Sequence, residues 1–474
     1  MQRTSLALIA SFVVDRDPVF AYTGWNLAHS LVHRGGFRWA DIHVQCTPEV
    51  DQRTVAMFDA LGCVTHQLEP FGDGKYCNKL AQWENLKSVD ADHLVFLDTD
   101  MICVSDFAEF LDAESIGGKI VDLANPELAI VDALFQRFGF DDRPQLAQVD
   151  GSDDFTYRTN CNGGFYSVPK RLAEPLFSSW RSYADLLLSD PGPLREAGKE
   201  AHVDQIAFCL AVHKMRLPFR PLPSNVNYYL HFRGPHAARI GNRPLAVLHY
   251  HNSSLNVVGM LEPPGPLDHD EQAAVDLANN LVERHFNTQL FWEMRYERFP
   301  ERGSGVGSRG ANLDYKRALL KAEGAEQASS VLDVGCGDLE VVSPLDLHNY
   351  VGIDRSDVTL AAAAAVRPDW TFVRAPAPHV SPAELVLCFE VAIHQQSAED
   401  YFELIRFVAE KTSGTLIISG YDESSEEIRA NHMLFFYEPL RTSLERTGKF
   451  RTIRAIGNHT TVVVYRCDVA VRGG

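Results

Sequence analysis

The tightest constraint in this chain lies between residues 331 and 354. Val331-Leu332-Asp333-Val334 is a short apolar run that reads as a buried strand, and Gly335-Cys336-Gly337-Asp338 follows it. Two glycines so close together let the backbone turn tightly and approach a ligand. Sixteen residues after Asp338, a second apolar run ends in Asp354, an acid placed to accept both hydroxyls of an adenosine ribose. Position 340, where a dinucleotide fingerprint carries its third glycine, is Glu340, which disfavours a pyrophosphate cofactor. The pattern therefore predicts an α/β unit that binds an adenosine cofactor lacking a pyrophosphate.

That unit occupies only the end of the chain. At 474 residues the sequence exceeds one ordinary core. Its net charge of −19 argues against a general nucleic-acid binder, which needs a basic footprint. The nine cysteines are scattered, with no CxxC pair or Cys/His cluster, so neither a zinc site nor a disulfide framework is expected. This usage and the absence of a long apolar stretch predict a cytoplasmic protein without a membrane span. Leu6–Val14 is expected to be a first strand rather than a secretion signal.

Residues 4–256 alternate strand-like runs with helical patterns, most clearly Leu6–Val14, Asp41–Gln45, His93–Leu97 and Ala246–Tyr250. A proline-rich stretch from Gly259 to Pro266 interrupts them. Asp268 and Glu271 then resemble a capping box at the start of a helix that carries Val275, Ala278, Val282 and Phe286. Further strands are expected at Ser330–Val334, Tyr350–Ile353, Trp370–Val373, Leu385–Phe389 and Thr415–Ser419. Gly457-Asn458 is expected to turn a terminal hairpin of Arg451–Ile456 and Thr460–Tyr465. The domains expected are residues 1–258, a linker and connecting helix over 259–290, and residues 291–474.

With Asp354 at its spacing, the 331–338 segment resembles motif I and the following acidic motif of class I S-adenosylmethionine-dependent methyltransferases. Leu387-Cys388-Phe389-Glu390-Val391 is similar to the fourth motif of that family. The resemblance implies five parallel strands ending in an antiparallel hairpin, with Asp333, Gly335, Gly337, Asp354 and Phe389 around the cofactor. It also implies an acceptor base, for which histidine is the usual choice near neutral pH. The candidates are His394 and His432, with His379 as a third. Gly303-Ser-Gly-Val-Gly-Ser-Arg-Gly310 is flanked by Phe291-Trp292 and Lys316. It is expected to be a lid whose Arg309 meets the cofactor carboxylate or an anionic acceptor.

In the first half, His93-Leu94-Val95-Phe96-Leu97 ends in Asp98-Thr99-Asp100. Two carboxylates one residue apart at a strand end can reach a divalent cation that neutralises a nucleotide diphosphate leaving group. This resembles the DxD motif of GT-A glycosyltransferases of the glycogenin and galactosyltransferase-like group. Tyr76-Cys77-Asn78-Lys79-Leu80 is similar to that group's lysine-bearing helix, and Thr159-Asn160-Cys161-Asn162-Gly163-Gly164 to its strand beside the donor sugar. His202-Val203-Asp204-Gln205 resembles its Asp-Gln element, and Val247-Leu248-His249-Tyr250-His251 its late metal-ligand strand. The resemblance implies Mn²⁺ or Mg²⁺ on Asp98, Asp100 and His249, with His251 as rival ligand. It places a UDP- or GDP-linked sugar against Lys79, Asp98, Asn160, Asn162 and Gly163, and Asp204 and Gln205 at the reaction centre.

The combined expectation is two Rossmann-like α/β domains in one bifunctional enzyme. The first transfers a sugar to a glycan, glycolipid or small glycoside. The second O-methylates a sugar hydroxyl or a nearby group. The alternative is a methyltransferase with a catalytically inactive, glycan-binding GT-A-like domain. A nucleotidyltransferase is disfavoured, because Asp15-Arg16-Asp17-Pro18 replaces the glycine-rich basic loop that would follow the first strand.

Overall fold

The computed structural model describes residues 6–230 and 244–469. They form two units, Met1–His285 and Phe286–Gly474. The boundary falls inside the span expected as a linker, and the helix His269–Arg284 belongs to the first unit. Its N-terminus is a capping box: Asp268 accepts from the Glu271 N–H, and the Glu271 carboxylate accepts from the Asp268 N–H.

The strands of the first unit are β1 (Leu8–Val14), β2 (Ile42–Cys46), β3 (Val64–Gln67), β4 (His93–Leu97), β5 (Met101–Cys103) and β6 (Ile116–Ile120). They continue with β7 (Leu146–Gln148), β8 (Phe155–Tyr157), β9 (Cys161–Pro169), β10 (Phe219–Pro221), β11 (Tyr228–Tyr229) and β12 (Val247–His249). A seven-stranded sheet runs β10-β6-β9-β4-β1-β2-β3. Its central strands β1, β2 and β4 are parallel and covered on both faces, which is why they read as nearly continuous apolar runs. The helix Pro18–His33 returns along β1, started by Asp17, whose side chain accepts from the Val19 N–H, and by proline at the first helical position. A small sheet, β11-β12-β5, lies beyond the end of β4.

The second unit adds β13 (Val331–Val334), β14 (Tyr350–Asp354), β15 (Thr371–Arg374), β16 (Ala383–Cys388), β17 (Thr412–Gly420), β18 (Phe450–His459) and β19 (Val462–Val469). Their order is β15-β14-β13-β16-β17-β19-β18. The first five are parallel, and β19 pairs antiparallel with both β17 and β18. This is the sheet implied by the methyltransferase resemblance.

One expectation needs correction. The hairpin does not turn at Gly457-Asn458, because both residues lie within β18, and His459 pairs with Val462 across Thr460-Thr461. A bulge between Ala455 and Gly457 takes up the extra residue. Glycine at 457 is required by packing instead, since a side chain there would run into the Tyr315 hydroxyl.

All nine cysteines are unpaired and buried. Among the described residues, no helix is long and apolar enough to cross a membrane.

Candidate functional site

In the first unit, β4 carries five buried residues and releases the chain at Asp98, half-buried at the carboxyl end of this central strand. The Asp98 N–H donates to the Gly164 carbonyl at 2.9 Å, which fixes it against β9. Two residues on, β5 pairs antiparallel with β12 and sets Met101 opposite His249. That register brings His249 Nε2 to 3.3 Å from Asp100 Oδ1. Ligand atoms of Asp98, Asp100 and His249 all lie within 4.8 Å of one another.

The imidazole is held by a second layer of contacts. His249 Nδ1 donates to Asn227 Oδ1 at 3.0 Å, which leaves Nε2 with its lone pair on the side of Asp100. The Asn227 amide donates to Asn162 Oδ1 at 3.1 Å, and the same oxygen accepts from the Gly164 N–H at 2.9 Å. His249 lies directly on Gly164: a Cβ there would sit 2.6 Å from His249 Cε1. Two carboxylates and one imidazole form a donor set suited to a hard divalent cation.

Lys79 braces the acids. Its ammonium donates to the Gly163 carbonyl at 2.9 Å and lies 3.3 Å from Asp98 and 3.2 Å from Asp204. Burial pushes this ammonium down, but the two carboxylates outweigh it, and its pKa stands well above the ordinary lysine value. Asp204 opens the helix Val203–Lys214 and is only 2 % exposed. Burial raises its carboxyl, against the opposing pull of Lys79. Gln205 pairs with His202 Nδ1 at 3.2 Å.

Two candidates are not among the converging ligand atoms, although His251 is near enough to help hold the Asp100 carboxyl below its usual range. Asn160 is fully buried, and its amide donates to Thr156 Oγ1 at 2.9 Å. His251 lies past the end of β12 at φ 56°, so the strand alternation that would turn it to the same side as His249 no longer applies. Its Nδ1 contacts Ser253 Oγ at 2.9 Å. Asn227 was invisible to sequence reasoning, since it carries no motif and lies 65 residues from Asn162.

In the second unit, Gly335 and Gly337 follow β13 at φ 77° and 55°. A side chain at Gly335 would strike Val391, and one at Gly337 would strike Ser304, so only bare backbone fits this turn. Asp354, at the end of β14, accepts from the Gly337 and Ser356 N–H groups, each at 3.0 Å. Asp333 is buried and accepts from the Tyr350 hydroxyl at 2.8 Å; burial pushes its carboxyl up to about 7.

The glycine-rich segment is latched onto the motif I turn. Asp338 accepts from the Ser304 N–H at 3.0 Å, the Ser304 hydroxyl at 2.9 Å and the Arg309 guanidinium at 2.6 Å. Arg309 therefore faces a carboxylate of the protein itself. Burial raises the Asp338 carboxyl, yet Arg309 and the Ser304 N–H hold it below the usual range.

Phe389 lies past the end of β16, with the Lys316 ammonium 5.3 Å from its ring centre. Glu390, at φ 61°, places one carboxylate oxygen 3.1 Å from Lys316 Nζ and the other 3.1 Å from His459 Nε2. Lys316 and His459 are both buried. Burial pushes both groups below their ordinary pKa, with Glu390 opposing. Lys316 and Glu390 were visible in the sequence as motif neighbours; His459, at the end of a late strand, carried no signal. His394 is half-buried and donates from Nδ1 to the Met433 carbonyl at 2.8 Å, leaving Nε2 as the lone-pair nitrogen. The His432 ring lies 4.6 Å from Phe286, and His379 is exposed.

Residues 11–216 match the family model of the Rhodobacterales glycosyltransferase domain. No curated protein matches the chain. Among solved structures, it is similar to magnesium protoporphyrin IX methyltransferase from Synechocystis PCC 6803 with bound SAH, at 18 % identity and TM-score 0.29, over 33 % of this chain and 82 % of that one. It is also similar to the N-terminal domain of EvdMO1 in the presence of SAH and D-fucose, at 16 % identity and TM-score 0.27, over 33 % and 82 %. A third is the N-methyltransferase NodS from Bradyrhizobium japonicum WM9, at 16 % identity and TM-score 0.28, over 33 % and 87 %. The chain thus carries a glycosyltransferase domain in its first unit, joined to a Rossmann-like unit with the sheet of a class I methyltransferase, and it is a transferase.

Proposed function

We propose that the protein is a cytoplasmic bifunctional enzyme: a metal-dependent GT-A glycosyltransferase and an S-adenosylmethionine-dependent O-methyltransferase. The observation that carries this reading is the convergence of Asp98, Asp100 and His249, with His249 Nε2 kept as an acceptor by Asn227. Mn²⁺ or Mg²⁺ at these residues supplies positive charge against the departing nucleoside diphosphate of a UDP- or GDP-linked sugar. Lys79 keeps Asp98 and Asp204 in place while remaining protonated. Asn162, Gly163, Asp204 and Gln205 border the sugar, and Asn160 supports the turn that presents them. The acceptor is a glycan, glycolipid or small glycoside.

In the second unit, S-adenosylmethionine supplies a methyl group already activated as a sulfonium. The bare turn at Gly335 and Gly337 admits its amino-acid portion, Asp354 takes the ribose hydroxyls, and Asp333 and Phe389 complete the wall. His394 Nε2 removes the proton from the acceptor hydroxyl, with His432 as the alternative base.

The test is metal-dependent hydrolysis of nucleotide sugars, screened over UDP, GDP and other donors with Mn²⁺, for wild type and the Asp98→Ala/Asp100→Ala variant. Release of nucleoside diphosphate by wild type alone is expected. If no donor binds or turns over, even with acceptors present, the first unit is a glycan-binding module and methylation is the remaining activity.

A further inference from the structure

Away from Asp98 and Asp100, the first unit gathers three histidines from distant parts of the chain. His29 and His33 lie one helical turn apart on the helix Pro18–His33, and His285 caps the helix His269–Arg284. The three rings form a triangle, with His285 4.2 Å from His29 and 4.3 Å from His33, and His29 5.8 Å from His33. Ring nitrogens of all three lie within 4.8 Å of one another.

We propose that His29, His33 and His285 form a second divalent-metal site, selective for a borderline cation such as Zn²⁺, that ties the two helices together. Four independent features support it. First, His29 is only 6 % exposed, and neither of its ring nitrogens has a hydrogen-bond partner. A buried imidazole is normally satisfied, and a cation on its lone pair would meet that need. Second, two histidines at i and i+4 share one helix face, so both reach the same point.

Third, His33 closes one helix and His285 caps another. Both helices thereby direct their negative dipole ends toward this cluster, which favours a cation and disfavours an anion. Fourth, the surroundings hold the site in place. The Trp25 indole donates to the His285 carbonyl at 2.8 Å, and Trp25 and Trp39 pack on His29 at 4.9 and 5.0 Å.

Zinc–nitrogen bonds of about 2.0–2.1 Å place tetrahedral ligand nitrogens about 3.4 Å apart. Metal binding therefore requires the nearly parallel rings, at interplanar angles of 6°, 15° and 9°, to rotate out of their stack and aim their lone pairs at one point. An all-imidazole donor set suits Zn²⁺, Ni²⁺ or Cu²⁺ rather than Mg²⁺ or Mn²⁺. That difference separates this site from the carboxylate-rich one.

The test uses the full chain, stripped with chelator, in the Asp98→Ala/Asp100→Ala background so that the first site is silent. Zn²⁺ titrated by calorimetry is expected to bind with one equivalent and to raise the unfolding temperature. Adding His33→Ala, an exposed position that leaves the fold intact, is expected to weaken binding at least about 100-fold and abolish the thermal shift. Co²⁺ is expected to give a visible band typical of nitrogen ligation, lost in the same variant and in His285→Ala. Absence of Zn²⁺ binding in the parent, or binding that survives both His33→Ala and His285→Ala, overturns the proposal. Neither result bears on the glycosyltransferase reading, which the nucleotide-sugar assay tests separately.

Discussion

Gly164 offers a sharp test of the first unit's site, because it is the floor on which His249 rests. A Cβ at this position would lie 2.6 Å from His249 Cε1 and 2.9 Å from Nδ1. Ordinary contact begins near 3.4 Å, so Gly164→Ala displaces the ring by about 0.8 Å or tilts it off Asn227. Backbone strain does not enter, since Gly164 is not at positive φ. Metal ligands tolerate only about 0.2 Å of error, and disturbing the partners that orient them costs roughly 10–100-fold in affinity. Gly164→Ala is therefore expected to raise the Mn²⁺ dissociation constant by about that factor, read by electron paramagnetic resonance of free Mn²⁺, with circular dichroism unchanged. Gly163→Ala is the control. Its Cβ would meet Lys79 Nζ at 2.9 Å and Asp204 Oδ2 at 3.2 Å but not His249, so any effect runs through the bracing lysine and leaves the His249–Asn227 contact in place. If Gly164→Ala binds Mn²⁺ as tightly as wild type while correctly folded, His249 is not a ligand and the reasoning fails.

Two further outcomes are expected in the second unit. Asp333 has its folded pKa raised by burial from 3.8 to about 7. The folded state therefore binds this proton more tightly than the unfolded chain, and stability falls as pH rises between those values and levels off above them. Asp333→Asn removes that decline, seen as a flatter plot of unfolding temperature against pH; an unchanged slope would refute the burial argument. Glu390→Gln leaves the buried Lys316 ammonium without its countercharge. It is expected to destabilise this unit by about 3 kcal/mol in urea unfolding. Lys316→Met added to it should restore much of the loss, and strict additivity of the two changes would count against the pair.

What was legible in the sequence was what lies next to a strand end. Asp98 and Asp100 directly follow five apolar residues, and Gly335, Gly337 and Asp354 directly follow two more short runs, so local pattern reported their place in the fold. His249 was legible for the same reason. The residues that tune these groups were not, because they arrive by tertiary contact. Asn227 reaches His249 from β11's approach, and His459 reaches Glu390 from the terminal hairpin. His251 lies beyond the end of β12, which stops at His249, so strand alternation does not set which way its ring faces. The turn at Thr460-Thr461 was hidden by Gly457-Asn458, whose glycine answers to the Tyr315 hydroxyl rather than to chain reversal.

The cysteines have a practical consequence. Burial raises the thiol pKa of all nine above the ordinary value. Alkylating reagents attack the exposed thiolate, so the native chain should be almost silent to maleimides. One cysteine introduced on the surface of each unit would then be a unique attachment point without removing any natural thiol. Dye pairs placed this way could follow the separation between the two units during turnover in an otherwise wild-type enzyme.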